Sequence, residues 1–370
     1  MSNQGAEMIT LCAVGDVRIT HNEPEFMFEF VRPTISDADI AFCQLETAYS
    51  NKGSKQPQVR IAFRASPEGA PGLKDAGFDV VSLAGNHCMD YGHDALLDTI
   101  DILRANGLLT LGTGGNIEEA GKPAIVERNG TRVGFLAYNS VMAEGSWAQS
   151  DRPGVNPIRI YTRDGQFNSG ETAAARRSDT FAGREDVEAM VRSIKKLKAE
   201  ADIAIVSLHW GLPFSPADLA GYQMELGHAV IDAGADLVLG HHPHILKAIE
   251  VYKGKVIFYS IGNFAFDHST PLSAAAQALH PGYKEDPEYA GYRFPADSRK
   301  TVVVKCLISG KKLQSVSVLP VYINGRAQPQ ILRRDDKRFD EVVDYLKKVT
   351  THHGLPANYT IEGAEAIIWS

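Results

Sequence analysis

The sequence predicts a layered α/β sandwich built from mixed sheets, and three observations carry that prediction. Short apolar, β-branched runs recur along the chain and each stops at a polar cluster, which is how strands buried on both faces read. Segments with helical spacing lie between several of these runs. Glycine-centred turn signals then join further pairs of apolar runs into hairpins, so the strands are not all parallel.

The elements follow in chain order. Residues Met8 to Val14 form the first strand, ending at Gly15-Asp16. Asp39 to Leu45 forms the second and ends at Glu46, and Phe78 to Ala84 the third, ending at Gly85-Asn86-His87. Asp94 to Asn106 has apolar spacings of three and four and stops at Gly107, a helix with a C-terminal glycine. Asn129-Gly130 turns Ala124–Glu127 back onto Arg132–Tyr138. Arg184 to Ala201 sets Val187, Met190, Val191, Ile194 and Leu197 on one stripe, with lysines at its end where the helix dipole favours them. Asp202 to Leu208 is a strand running into His209-Trp210-Gly211, and Leu219 to Ala233 is a third helix. Asp236 to Leu239 leads into Gly240-His241-His242-Pro243-His244. Lys253-Gly254-Lys255 and Ser309-Gly310-Lys311 punctuate two more strand pairs, and a terminal amphipathic helix begins near Phe339. Residues 1–332 read as one domain, with 333–370 a C-terminal helix and tail packed on it. Two stretches, 145–183 and 269–298, interrupt the rhythm as insertions of a length that marks functional lids or disordered segments.

Composition narrows the function. Lys+Arg 38 against Asp+Glu 45 gives a net charge of −7, which argues against a nucleic-acid surface. The apolar runs are far too short to span a bilayer, so no integral membrane segment is expected. The first residues lack a basic stretch followed by an apolar one, so no secretory signal is expected and the predicted location is cytoplasmic. Cys12, Cys43, Cys88 and Cys306 are too scattered for a disulfide framework and read as buried small hydrophobes, with Cys88 a candidate reactive thiol beside His87.

The strand ends carry Asp16, Glu46, Asn86, His87, His209, His242 and His244. Functional crevices of open α/β sheets lie beyond the carboxyl ends of the strands, so these side chains converge on one edge if the strands align. Carboxylate, amide oxygen and imidazole together suit a divalent transition metal such as Mn, Fe, Zn or Co. One such residue is commonplace; five separate runs each ending in one point to a metal site.

The ordered series Gly15-Asp16, Leu45-Glu46-Thr47, Gly85-Asn86-His87, His209-Trp210-Gly211, Gly240–His244 and Gly262-Asn263-Phe264 resembles the signature of the CapA-type poly-γ-glutamate capsule biosynthesis proteins. That family is similar in turn to the calcineurin-like metallophosphoesterases, and the resemblance covers roughly residues 8 to 325. It implies a four-layer α/β/β/α sandwich and a centre for one or two metal ions. One ion would use Asp16, Glu46 and His244; the other Glu46, Asn86, His209 and His242. The resemblance makes His87 a non-ligand histidine able to protonate a leaving group. Asn263, polar in an otherwise apolar turn, either braces the metal histidines or satisfies the turn itself.

The chain departs from the metallophosphoesterase pattern at three positions. Arg18 stands where that pattern has a histidine, and arginine cannot ligate a metal. Glu46 replaces a bridging aspartate, and His241 stands where glycine is usual. Arg18, Arg60 and Arg64 are then candidates to pair with an anionic substrate, the alternative for Arg60 and Arg64 being a solvated strand face. Trp210 and Phe264 read as core, and Asp90 and His93 as caps of the following helix. The implied function is a metal-dependent hydrolase acting on a phosphoester or a γ-glutamyl-type amide of an anionic, glutamyl-containing substrate. The alternative is a non-catalytic or biosynthetic component that binds poly-γ-glutamate.

Overall fold

The computed structural model describes residues 7–21, 23–59, 61–162, 180–267, 292 and 294–370, and the backbone at 167–168. Among the described residues, two mixed sheets carry the fold. In the larger sheet, four parallel strands run in the order Ile9–Arg18, Ile40–Leu45, Val80–Ser82 and Leu109–Leu111. Lys300–Ser309 and Lys312–Ile323 extend it antiparallel from the first strand, and Asn263–Phe266 pairs parallel with that strand's end. The smaller sheet has parallel strands Thr131–Asn139, Ile203–His209, Leu237–His241 and Lys255–Phe258, flanked by antiparallel Ala124–Arg128 and Ile249–Tyr252.

Continuous apolar runs allow both faces of each sheet to be covered. Between the sheets, Leu11, Phe42, Phe135, Ile205 and Leu239 belong to one buried cluster. Phe42 and Phe135 stack across the interface at 5.6 Å. On the far side of the smaller sheet, helices Arg184–Glu200 and Gly221–Asp232 bury Met190, Ile194, Leu226 and Val230 against Val206 and Val238. Helices Ala70–Asp75 and Gly92–Ala105 connect neighbouring strands of the larger sheet and bury Leu73, Leu96 and Leu103. The molecule is a helix–sheet–sheet–helix sandwich, the predicted fold class.

The three glycine turns are hairpins, with both central residues left-handed in each: Asn129 and Gly130, Lys253 and Gly254, Gly310 and Lys311. That geometry matches the twist of the flanking strands. Two local differences from the sequence reading stand out, and a third stretch goes undescribed. Within 145–183, Ile160–Thr162 and Thr180–Ala182 pair antiparallel, so an apparent loop contains strand. Most of 269–298 lies outside the described residues. The chain after the Lys337–Thr351 helix forms a hairpin, Thr360–Glu362 with Glu365–Trp369, that adds to the larger sheet along Val316–Val318.

Candidate metal centre

Parallel strands in one register bring their carboxyl ends to the same edge. In the smaller sheet Asn139, His209 and His241 sit side by side. In the larger sheet Asp16 is level with Gln44 on one neighbour and Asn263 on the other. Glu46 follows directly after the second strand, and Asn86 and His87 follow the third. The candidate centre therefore lies on the seam between the sheets, with carboxylates, Asn86 and His87 from one and the imidazoles of His209, His242 and His244 from the other.

Local backbone explains the glycines of these motifs. The Asp16 N–H donates to the Gly262 carbonyl at 3.0 Å, and a Cβ on Gly15 would lie 1.9 Å from that same oxygen. Only glycine lets the two strands approach this closely. His242 and His244 both sit at positive φ, 91° and 57°, a conformation that costs a non-glycine residue about 1–3 kcal/mol. The strain turns both rings toward the seam.

Glu46 is the hub. It is fully buried, and its Oε1 lies 3.5 Å from His244 Nε2, 3.9 Å from His209 Nε2 and 3.9 Å from His87 Nε2. Donor atoms of Glu46, His242 and His244 all lie within 4.8 Å of one another. Asp16, also fully buried, accepts the His242 N–H on Oδ2 at 3.1 Å, and that oxygen is 3.6 Å from His244 Nδ1. Asn86 Oδ1 and His209 Nε2 are 2.8 Å apart.

Electrostatics favour a cation here. Burial, then repulsion from Asp16 and Asp90, pushes the Glu46 carboxyl well above the usual carboxylate range. Burial, reinforced by the neighbouring histidines, holds His209 well below the ordinary imidazole value, and burial lowers His244 despite Asp16. Asp16 Oδ1, both Glu46 oxygens and His209 Nδ1 are buried without a hydrogen-bond partner among the described residues. Orphaned acceptors of this kind are costly unless something else satisfies them. Two carboxylates with neutral imidazoles and an amide oxygen fit a divalent transition metal.

Asn263 accepts from His244 Nδ1 at 2.8 Å and donates to the Tyr292 hydroxyl at 2.8 Å, which donates to the Ser298 carbonyl. This chain fixes the ring so that Nε2 faces Glu46. Asp90 does not cap the following helix as its spacing suggested. Its Oδ2 takes the Phe63 N–H at 2.6 Å and lies 2.7 Å from His87 Nδ1. A carboxylate only accepts, so Nδ1 of His87 carries the proton and Nε2 is turned to Glu46. Phe63 packs on the His87 ring at 4.1 Å.

Arg18 donates to the Asp267 carbonyl and to Asp267 Oδ1 at 3.1 Å, and its guanidinium lies 4.2 Å over the Phe63 ring. Arg64 lies 3.6 Å over Tyr91 and donates to the carbonyls of Lys52 and Gly53. Both arginines are engaged with protein partners. Arg60 lies outside the described residues. Trp210 is fully buried, donates to the Tyr259 carbonyl at 3.0 Å and stacks on that ring; Phe264 is fully buried too. Cys88 is buried, and burial raises its thiol well above the ordinary value, which disfavours the thiolate that a reactive cysteine needs. Sequence reasoning missed Asp90 and Asp267 as partners of motif residues. Asp90 had a readable signal, three residues beyond His87; Asp267 had none, because it is 249 positions from Arg18.

Among the described residues no helix is long and apolar enough to cross a membrane. The chain is 31% identical over 271 residues to the PGA biosynthesis protein CapA of Bacillus subtilis, covering 70% of this chain and 64% of that protein. It is 33% identical over 234 residues to a probable polyglutamine synthesis accessory protein of Mycobacterium tuberculosis, covering 62% and 56% respectively. The chain thus spans about 60% of the length of these relatives. A crystal structure of the calcineurin-like phosphoesterase YfkN from Bacillus subtilis superposes with a TM-score of 0.41 at 12% identity, over 93% of this chain and 97% of the other. A family model, bacterial capsule synthesis protein PGA_cap, matches residues 10–268. That span holds every residue of the buried cluster from Asp16 to Asn263, and by it the chain belongs to the PGA_cap family of bacterial capsule synthesis proteins.

Proposed function

We propose that this chain is a divalent-metal-dependent hydrolase acting on an anionic ester or amide. The observation that carries the reading is the convergence of buried Asp16, Glu46, His209, His242 and His244 and half-buried Asn86, with orphaned carboxylate oxygens at its middle. Asp16, Glu46 and His244 would hold one ion, and Glu46, Asn86, His209 and His242 another. A divalent cation held there would supply Lewis acidity, lowering the pKa of water to about 7.

The chain's own groups do the rest. His209 and His244 are kept neutral by burial and so are ready as ligands. Asn263 and Asp90 hold the rings of His244 and His87 in single orientations. His87, half-buried beside Glu46, can hold a proton at Nε2 and deliver it to a leaving group. Arg18, clamped by Asp267, supplies fixed positive charge near Glu46. The relatives' names, PGA biosynthesis and polyglutamine synthesis, make a glutamyl polymer the first substrate to try. They also favour a second reading, in which the centre binds such a polymer without cleaving it.

The test is metal content and hydrolysis measured together. Purified chain, stripped with chelator and reloaded with Mn²⁺, Zn²⁺ or Co²⁺, is assayed on aryl phosphates and on γ-glutamyl peptides beside His242→Ala. Bound metal with metal-dependent turnover of either class, both lost in the variant, is expected. Bound metal without turnover of either selects the binding role. Absence of metal from the wild type overturns the proposal.

A further inference from the structure

One buried imidazole at the seam is not used by the ligand sets above. His241 ends the Leu237–His241 strand with its side chain fully buried. Alternation along the strand sends it, like Leu237 and Leu239, into the space between the sheets, where its ring lies 6.0 Å from that of Phe42. Neither ring nitrogen has a hydrogen-bond partner among the described residues. Its Nδ1 faces Asp16 Oδ1 at 3.3 Å, and that oxygen is likewise without a hydrogen bond. A neutral imidazole needs both a donor and an acceptor partner, so a fully buried one with neither is an unusual expense in free energy.

We infer that His241 is a ligand on the Asp16 side of the centre, taking the part of the histidine that Arg18 displaces. Three facts agree. Position 18 carries a side chain that stays protonated and is turned to Asp267 and Phe63, so it offers no donor pair to a metal. Asp16 Oδ2 is already occupied by the His242 N–H, which leaves Oδ1 as its free donor, and His241 is the imidazole in front of it. Two donors at metal–ligand bond lengths of about 2.0–2.2 Å from one ion lie roughly 3–3.5 Å apart, the spacing found between these atoms. The replacement keeps the number of imidazoles around the first aspartate while moving one from the first strand to the other sheet. The inference rests on the proposed metal centre and adds a ligand to it.

The experiment is metal stoichiometry of the full chain, reloaded with Mn²⁺ after chelator and measured by elemental analysis and by titration calorimetry. The variants are His241→Ala, His241→Asn, His242→Ala and the double change Arg18→His with His241→Ala. Circular dichroism checks that each is folded. The expected result is loss of one equivalent, or at least a tenfold weaker dissociation constant, in both His241 variants, with recovery in the double variant. Recovery by a histidine at the other position cannot come from a packing defect at 241. Unchanged stoichiometry and affinity in His241→Asn, with metal lost in His242→Ala, overturns this inference and leaves the metal centre standing. A wild type that binds no Mn²⁺, Zn²⁺ or Co²⁺ overturns both.

Discussion

Asp90 decides which nitrogen of His87 meets the seam, so its carboxylate matters more than its burial. Replacing it by asparagine presents a side chain that can donate as well as accept, and frees the ring to adopt the other tautomer. Asp90→Asn should lower kcat by about 10²-fold while the metal equivalents stay the same; kinetics and elemental analysis on one preparation check this. A second residue prediction lies away from the centre. Asp236 is buried and accepts from Lys198 and Lys255, both at 2.6 Å, and from the Ala204 N–H at 2.9 Å. Burial alone would raise its carboxyl, but these hydrogen bonds outweigh it and the value is lowered. A lowered native value means the unfolded chain binds the proton more tightly, so the contribution is present above about pH 4 and is lost as pH falls through the native value. Asp236→Asn should cost about 2 kcal/mol in urea unfolding at pH 7, and the gap should narrow at pH 3. At this scale the motif residues were legible because each follows an apolar run. Of their fixing partners, Asn263 and Asp90 lie in or beside the motifs, whereas Asp267 and Tyr292 were not legible, since they reach the seam from remote chain and no spacing encodes that approach.

Two elements meet at the seam under opposite backbone demands. The first strand must pass beside Gly262 with no side chain at position 15, and Gly15→Ala should destabilise the fold by about 3 kcal/mol, read as a lower denaturation midpoint. The Gly240–His244 turn does the reverse and keeps two histidines where glycine would be relaxed. His242→Gly should therefore raise stability in metal-free buffer by about 1 kcal/mol while lowering metal uptake, the behaviour of a residue kept for its side chain. Differential scanning calorimetry with and without Mn²⁺ separates the two effects. The hairpins were legible because left-handed residue pairs have a strong local signature. The terminal hairpin escaped because its glutamates at 362 and 365 break the apolar alternation and its pairing partner lies some fifty residues earlier. The strands within 145–183 escaped because they are only three residues long.

Across the whole molecule the smaller sheet is one continuous stretch, Ala124 to Phe258, inserted between the two parts of the larger one. The layering was legible from the alternation of runs and helices; the insertion was not, because nothing local tells a strand which sheet it joins. Removing residues 358–370 should uncover the outer edge of Lys312–Ile323 along Val316–Val318, and size-exclusion chromatography should show more aggregate than the full chain. The seam has a further consequence. Its candidate acidic ligands belong to one sheet and its candidate ligand imidazoles to the other, so neither layer alone carries the whole set. A bound ion is then a rivet through the sandwich, adding about 2.7 kcal/mol to the native state at a hundredfold excess over its dissociation constant. If the centre holds an ion as proposed, affinity for it reports how well the two layers have docked, and a distant mutation that loosens their packing should first be felt as a leak of metal.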